Sequence, residues 1–164
     1  MRVRRARRED GPDLARIANA AWSRESSILP RPRADQDVFR APVHPEHVLV
    51  ALTGDVPVGF IKLVPTAAAE PRLVTVSGHV DRVYGLSVAP EHQGRGAGTA
   101  LLRAARAEAL ARGSRRITMR VLSSNARAQR LYERLGYQVE GVLHEEFLVD
   151  GAYVDDVLLA LDLT

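Results

Sequence analysis

The chain has 164 residues, 46% of them hydrophobic and 26% charged, enough to bury one core without covalent staples. It contains no cysteine, which excludes a disulfide framework, a thiol nucleophile and a thiolate metal site. The formal net charge is +3, and Arg supplies every basic residue except Lys62.

The chain opens with Arg2, Arg4, Arg5, Arg7 and Arg8 around Val3 and Ala6, the alternation of a half-exposed strand over residues 2–7. A basic start can also serve nucleic acid. With aromatic residues at only 5%, a solvated edge strand is preferred and no nucleic-acid partner is expected. Asp10 is an N-cap candidate with Pro12 in the first turn. Leu14, Ile17, Ala18, Ala21 and Trp22 then follow the spacing of one helix face. Residues 23–45 are rich in Pro, Arg and Ser, and predict a mobile loop with a short helix from Arg33 to Phe39. His47 to Leu52 and Val56 to Val64 are apolar runs around Thr53-Gly54-Asp55, the pattern of a hairpin. Residues 65–78 read as a loop or an irregular strand start, and Val80 to Val88 as a strand.

A glycine-rich turn comes next, with Gly94, Gly96 and Gly98 at alternate positions, and a helix runs from Gly98 to Arg112, stopped by Gly113. Arg116 to Leu122 is a strand. Ser124 or Asn125 caps a helix reaching Leu135. Tyr137 to Val149 and Tyr153 to Leu163 form a closing hairpin around Asp150-Gly151. The order β-α-α-β-β-β-α-β-α-β-β predicts one α/β domain over residues 1–164 with a mixed sheet. The five His are scattered, with only His44 and His47 close together, so no metal is expected. There is no 18-residue apolar run and no signal-peptide core, so the expectation is a soluble cytoplasmic protein without a membrane partner.

The glycine turn carries the chemistry. Bare backbone N–H groups beside the positive end of a helix dipole bind phosphate. A P-loop would need Lys and then Ser or Thr after its last Gly, whereas Gly98 is followed by Thr99-Ala100. A dinucleotide fingerprint would need an acid at the end of the next strand, which here ends in Ser123-Ser124. The third reading is Gln93-x-x-Gly96-x-Gly98 after a strand ending Val88-Ala-Pro. That arrangement resembles the pyrophosphate loop of the GCN5-related N-acetyltransferase (GNAT) family. Downstream, Asn125-Ala-Arg-Ala128-Gln-Arg-Leu131-Tyr132-Glu-Arg-Leu-Gly136-Tyr137 is similar to a second motif of the family, at the expected distance. The two ends of the chain also look like the family's first and last strands, so the likeness spans nearly the whole sequence.

The resemblance implies a GNAT-type α/β sandwich with a mostly antiparallel, twisted sheet. It implies acetyl-CoA as acyl donor, with its pyrophosphate on Gln93, Gly94, Arg95, Gly96, Ala97, Gly98 and Thr99. The pantetheine arm would lie along Leu86, Ser87 and Val88, on a strand splayed from its neighbour by a bulge, with Asn125 holding one of its amides. A backbone N–H of that strand would stabilise the oxyanion, a role worth ~3 kcal/mol. Tyr132 would donate to the departing sulfur. Its spacing with Ala128, Leu131 and Leu135 also suits a core Tyr. Many family members carry a Glu four or six residues before Val88, where this chain has Tyr84 and Arg82. Proton acceptors that remain are Asp81, nearest the expected strand, then Glu91, Glu145, His144 or a water chain.

The acceptor is expected to be a small primary amine, which attacks directly in a ternary complex. Glu145, Glu146, Asp150, Asp155 and Asp156 would either draw a cationic amine or balance the arginines as solvated faces. Trp22 and residues 23–45 correspond to the family's acceptor wall. The family often dimerises, which leaves a homodimer open. A non-catalytic acyl-CoA-binding sensor on the same fold is the rival reading, supported by the missing strand Glu.

Overall fold

The computed structural model describes the backbone of residues 1–164 and the side chains of all but residues 73–75. Seven strands form one sheet: β1 (Arg2–Arg5), β2 (Val48–Thr53), β3 (Val56–Pro65), β4 (Val80–Val88), β5 (Arg116–Leu122), β6 (Gln138–Val149) and β7 (Ala152–Asp162). Their spatial order is β1-β2-β3-β4-β5-β7-β6. Every pairing is antiparallel except β4 with β5. Three longer helices, α1 (Gly11–Ala21), α4 (Ala97–Ala111) and α5 (Ala126–Arg134), cover the sheet. Two one-turn helices, α2 (Thr66–Ala69) and α3 (Val74–Ser77), occupy the stretch expected to be a loop or strand start. No helix among the described residues is long and apolar enough to cross a membrane.

Alternation along the strands divides the interior in two. Leu49, Ala51, Ile61, Leu63, Ile117, Met119, Leu159 and Leu161 face α4 and α5 and meet Leu101, Leu102 and Ala105. Val48, Val50, Leu52, Phe60 and Val64 face the other way and meet Leu14, Ala15 and Ile17 of α1. Each fully buried Leu here contributes on the order of 2 kcal/mol. Residues 33–39 form turns rather than the expected helix, because Val38, Phe39 and Val43 are drawn into the α1-side core and the chain bends to deliver them.

The Arg-rich start is the edge strand β1, and its cations are spent locally. Arg2 pairs with Asp55, Arg5 with Glu108, Arg7 with Glu9 and Arg8 with Asp37. Arg4 grips both carboxylate oxygens of buried Asp10, at 2.7 and 2.8 Å. That grip, with the Arg7 backbone N–H donating at 2.6 Å, holds the Asp10 carboxyl below its ordinary range. Asp10 therefore anchors β1 to the turn before α1 rather than capping α1 with its side chain.

Candidate active site

Strands β4 and β5 run parallel, yet they pair only at Val80–Arg116, Asp81–Ile117 and Arg82–Thr118. Beyond those residues they part, and each leaves one row of backbone donors and acceptors without a strand partner. Ligands of α/β sheets bind beyond the carboxyl ends of parallel strands where the connection reverses. On its other edge β4 stays paired with β3 through Gly59–Val88, with a shift between Lys62 and Leu63 that leaves Tyr84 opposite no residue. The bulge reverses the alternation, so Leu86 and Val88 join Val83 on the α4 side, while Ser87 faces α1.

The glycine loop caps this opening. Gly94 and Gly96 have φ of +74° and +88°, the left-handed region that a side chain resists. Gly96 is the N-cap of α4, and no side chain bonds its first turn. The N–H groups of Ala97, Gly98 and Thr99 have no intrahelical acceptor by geometry. A Cβ on Gly98 would lie 3.1 Å from Leu131 and 3.9 Å from Leu86. Gly98 is therefore where α4, α5 and β4 converge. Around Gly96 a Cβ meets nothing within 4 Å, which leaves open space beside the loop's backbone N–H groups. The residues present thus fit a pyrophosphate.

Gln93 serves this loop through its side chain. Its amide donates to the Val88 carbonyl at 3.0 Å and accepts from Arg127 at 2.6 Å. Arg127 also comes within 4.0 Å of the Gly94 Cβ position, which makes it a cation at the rim of the loop. Sequence reading missed Arg127, although its place on the first turn of α5 was a usable signal. Asn125 caps α5, its Oδ1 accepting from the Ala128 N–H at 3.1 Å, which leaves its amide donors unused within the chain. Tyr132 follows on the same helix, 8% exposed, against the Tyr137 ring at 6.0 Å. Burial pushes the Tyr132 phenol up to about 12.

Asp81 does not join this group. It sits at the opposite end of β4 from Val88, roughly 20 Å along the strand. It is 1% exposed, and both of its oxygens are engaged, one by Arg112 at 3.0 Å and one by Ser114 at 3.0 Å. Desolvation raises its pKa, against the pull of Arg112. A raised carboxylate often marks a base, but here the proton position is sealed from the opening. The geometry suits a strut tying β4 to the end of α4. Replacing Asp81 with Ala should cost about 3 kcal/mol by stranding Arg112 and Ser114. Turnover per folded molecule should change by no more than about threefold, as thermal melting and active-site-normalised rates would report.

Of the other acids and bases, Glu91 lies exposed on the turn before the loop. His144 and Glu145 sit in a β6 irregularity, where Glu145 has φ +52° and its N–H donates to Asp155 at 2.8 Å. His144 lies 3.3 Å from the same carboxylate, and these bonds hold Asp155 below its ordinary pKa. The segment after α1 crosses to this side. Ser124 donates to the Glu25 carbonyl at 2.9 Å, and Arg24 pairs with Asp150 at 3.3 Å. Trp22 donates to the Leu29 carbonyl, with Arg24 and Arg31 over its ring at 5.0 and 5.1 Å.

Comparison with known proteins agrees with this geometry. A model of the acetyltransferase (GNAT) family matches residues 12–137. The fold is similar to smu.2055 from Streptococcus mutans UA159, with TM-score 0.84, 26% identity and full coverage of both chains. It is also similar to yncA from Salmonella typhimurium, solved with its cofactor acetyl-CoA, at TM-score 0.77 and 22% identity over 100% of this chain and 94% of that one. A spermidine N(1)-acetyltransferase of Vibrio cholerae is 37% identical over 78 residues, 47% of this chain and 45% of that protein. The matched stretch thus spans less than half of that curated relative. With the family model aligned across the glycine loop and the Tyr132 helix, and the seven-strand fold matched end to end, the chain belongs to the acetyltransferase (GNAT) family.

Proposed function

We propose that the chain transfers an acetyl group from acetyl-CoA to a primary amine by direct attack in a ternary complex. The observation that carries this reading is the parting of β4 and β5 beneath a glycine loop whose N–H groups are uncapped. Acetyl-CoA supplies the activated thioester. Backbone N–H groups of residues 94–99 hold its pyrophosphate, with Arg127 and Arg95 adding charge at the rim. The free edge of Leu86–Val88 pairs with the amides of the arm as an added strand would. The side of the sheet that faces α1 receives the amine, because α4 and α5 close the other. The Tyr132 hydroxyl donates to the departing sulfur. The amine's proton leaves by water, since Asp81 is committed to Arg112 and Ser114.

Support for an amine acceptor comes from the family and from the spermidine acetyltransferase relative. One observation favours a second reading, a non-catalytic acyl-CoA sensor. On β4 the positions expected to carry a Glu hold Arg82 and Tyr84, and the one carboxylate of that strand is sealed. A panel of small amines with acetyl-CoA, followed by free-thiol release, separates the two. Thiol release with any amine supports the enzyme. Calorimetric binding of acetyl-CoA without turnover on any amine supports the sensor.

A further inference from the structure

We infer that Asp156 is the specificity group for the acceptor, receiving a second positive charge that lies a few carbons from the reacting amine. The inference rests on reading the chain as an amine acetyltransferase. Asp156 lies near the start of β7 and is 2% exposed. Its neighbours Val157, Leu159 and Leu161 face α4 and α5, so Asp156 faces the other side of the sheet, the side from which an acceptor approaches. The register sets it opposite Leu122, at the end of β5, and beside Leu143 of β6. Since β5 is the far wall of the opening, the carboxylate sits one strand spacing, about 5 Å, beyond that wall.

Its electrostatic setting is unusual for a structural acid. Asp156 Oδ2 is buried and lies directly against Nη2 of Arg120, an ion pair without the geometry of a hydrogen bond. The cation against it is Arg120 of β5, whose side chain is 55% exposed. Contrast Asp81, also buried, whose two oxygens each hold a well-formed hydrogen bond. A buried carboxylate held by a single ion pair, with a partner whose side chain is half exposed, keeps the capacity to take a second cation. Arg120 can swing into water, because more than half of its side chain is already exposed. An incoming ammonium could then replace it and regain the interaction. The neighbouring strand β6 adds the exposed Glu145 and Glu146, whose charge draws cations. The covering segment 23–30, tied to Ser124 and Asp150, supplies the walls.

The test is calorimetric titration of the full chain, saturated with coenzyme A, by 1,4-diaminobutane and by n-butylamine, which differ in the second ammonium. The wild-type chain should prefer the diamine by about tenfold or more. Asp156→Asn should remove that preference, weakening the diamine by about tenfold and leaving butylamine within about twofold. Arg120→Gln should do the reverse and tighten the diamine by roughly threefold or more, because it removes the competing cation. Absence of a diamine preference in the wild-type chain overturns the inference. So does an Asp156→Asn variant that binds both amines as before or loses both alike. If Asp156→Asn fails to fold, the Arg120→Gln sign decides: tighter binding supports the inference, and unchanged or weaker binding marks the pair as a strut between β5 and β7. Failure of the underlying reading looks different, because coenzyme A itself then gives no heat.

Discussion

Replacing Tyr132 with Phe should lower kcat by about a hundredfold or more while leaving the Kd for acetyl-CoA nearly unchanged. The phenol lies on α5 one residue after Leu131, which touches the Gly98 hinge of the loop. Its hydroxyl makes no hydrogen bond among the described residues, and unlike that of Tyr137 it is not fully enclosed, so it is free to meet a ligand. Burial pushes its pKa up to about 12, so the neutral donor persists through the whole working range. A thiol has a reference pKa near ~8.5, so this phenol holds its proton more firmly than the departing sulfur would. In the proposed reaction Tyr132 would therefore stabilise developing negative charge on sulfur chiefly as a hydrogen-bond donor. The sign of the pH effect follows. Loss of the Tyr132 proton should produce no falling limb in kcat below about pH 10. The built-in control is Tyr137→Phe, since the Tyr137 hydroxyl is buried without a partner and its removal should leave kcat intact. Thiol-release kinetics on both variants, with melting curves, measure this. An unchanged kcat in Tyr132→Phe would remove the residue from the chemistry.

The Gly96→Ala variant should weaken acetyl-CoA binding by about thirtyfold or more, as calorimetry would read it. Two effects add. The residue at φ +88° must stay left-handed, which costs an L side chain roughly 1 kcal/mol. More important, the Cβ would project into space where no protein atom lies within 4 Å. In the proposed function that space takes the pyrophosphate, so the methyl group would displace an oxygen from the N–H groups of Ala97 and Gly98. Gly113, also left-handed at φ +81° with open space around it, lies past the far end of α4 and provides the comparison. Gly113→Ala should carry the strain without the loss of affinity. Equal Kd values for Gly96→Ala and the wild-type chain would place the pyrophosphate elsewhere.

The elements that could be read in advance were those whose cause is local. The hairpins at Gly54-Asp55 and Asp150-Gly151, strand β5 and the α5 cap at Asn125 follow from turn chemistry and periodicity within a few residues. The glycine loop belongs to the same class, because its backbone conformation demands glycine at Gly94 and Gly96 regardless of partners. Residues 33–39 were misread as a helix because their fate is set by the α1-side core they fill. The one-turn helices α2 and α3 escaped notice because pieces that short carry no periodic signal.

Asp81 marks the boundary most clearly. Its place on β4 was legible, but its partners lie 31 and 33 residues downstream, and only packing brings Arg112 and Ser114 to it. Asp156 is the converse case. In the sequence it is one acid among five near the last turn, and the sheet order β5-β7-β6 turns it into a buried charge beside the end of β5. The amino-acid sequence alone thus determined the glycine loop, the strand before it and the tyrosine helix after it, since bond geometry and hydrogen-bond need act over a few residues. Tertiary structure decided which carboxylates are buried and what pairs with each, because burial and charge pairing depend on strands distant in the chain.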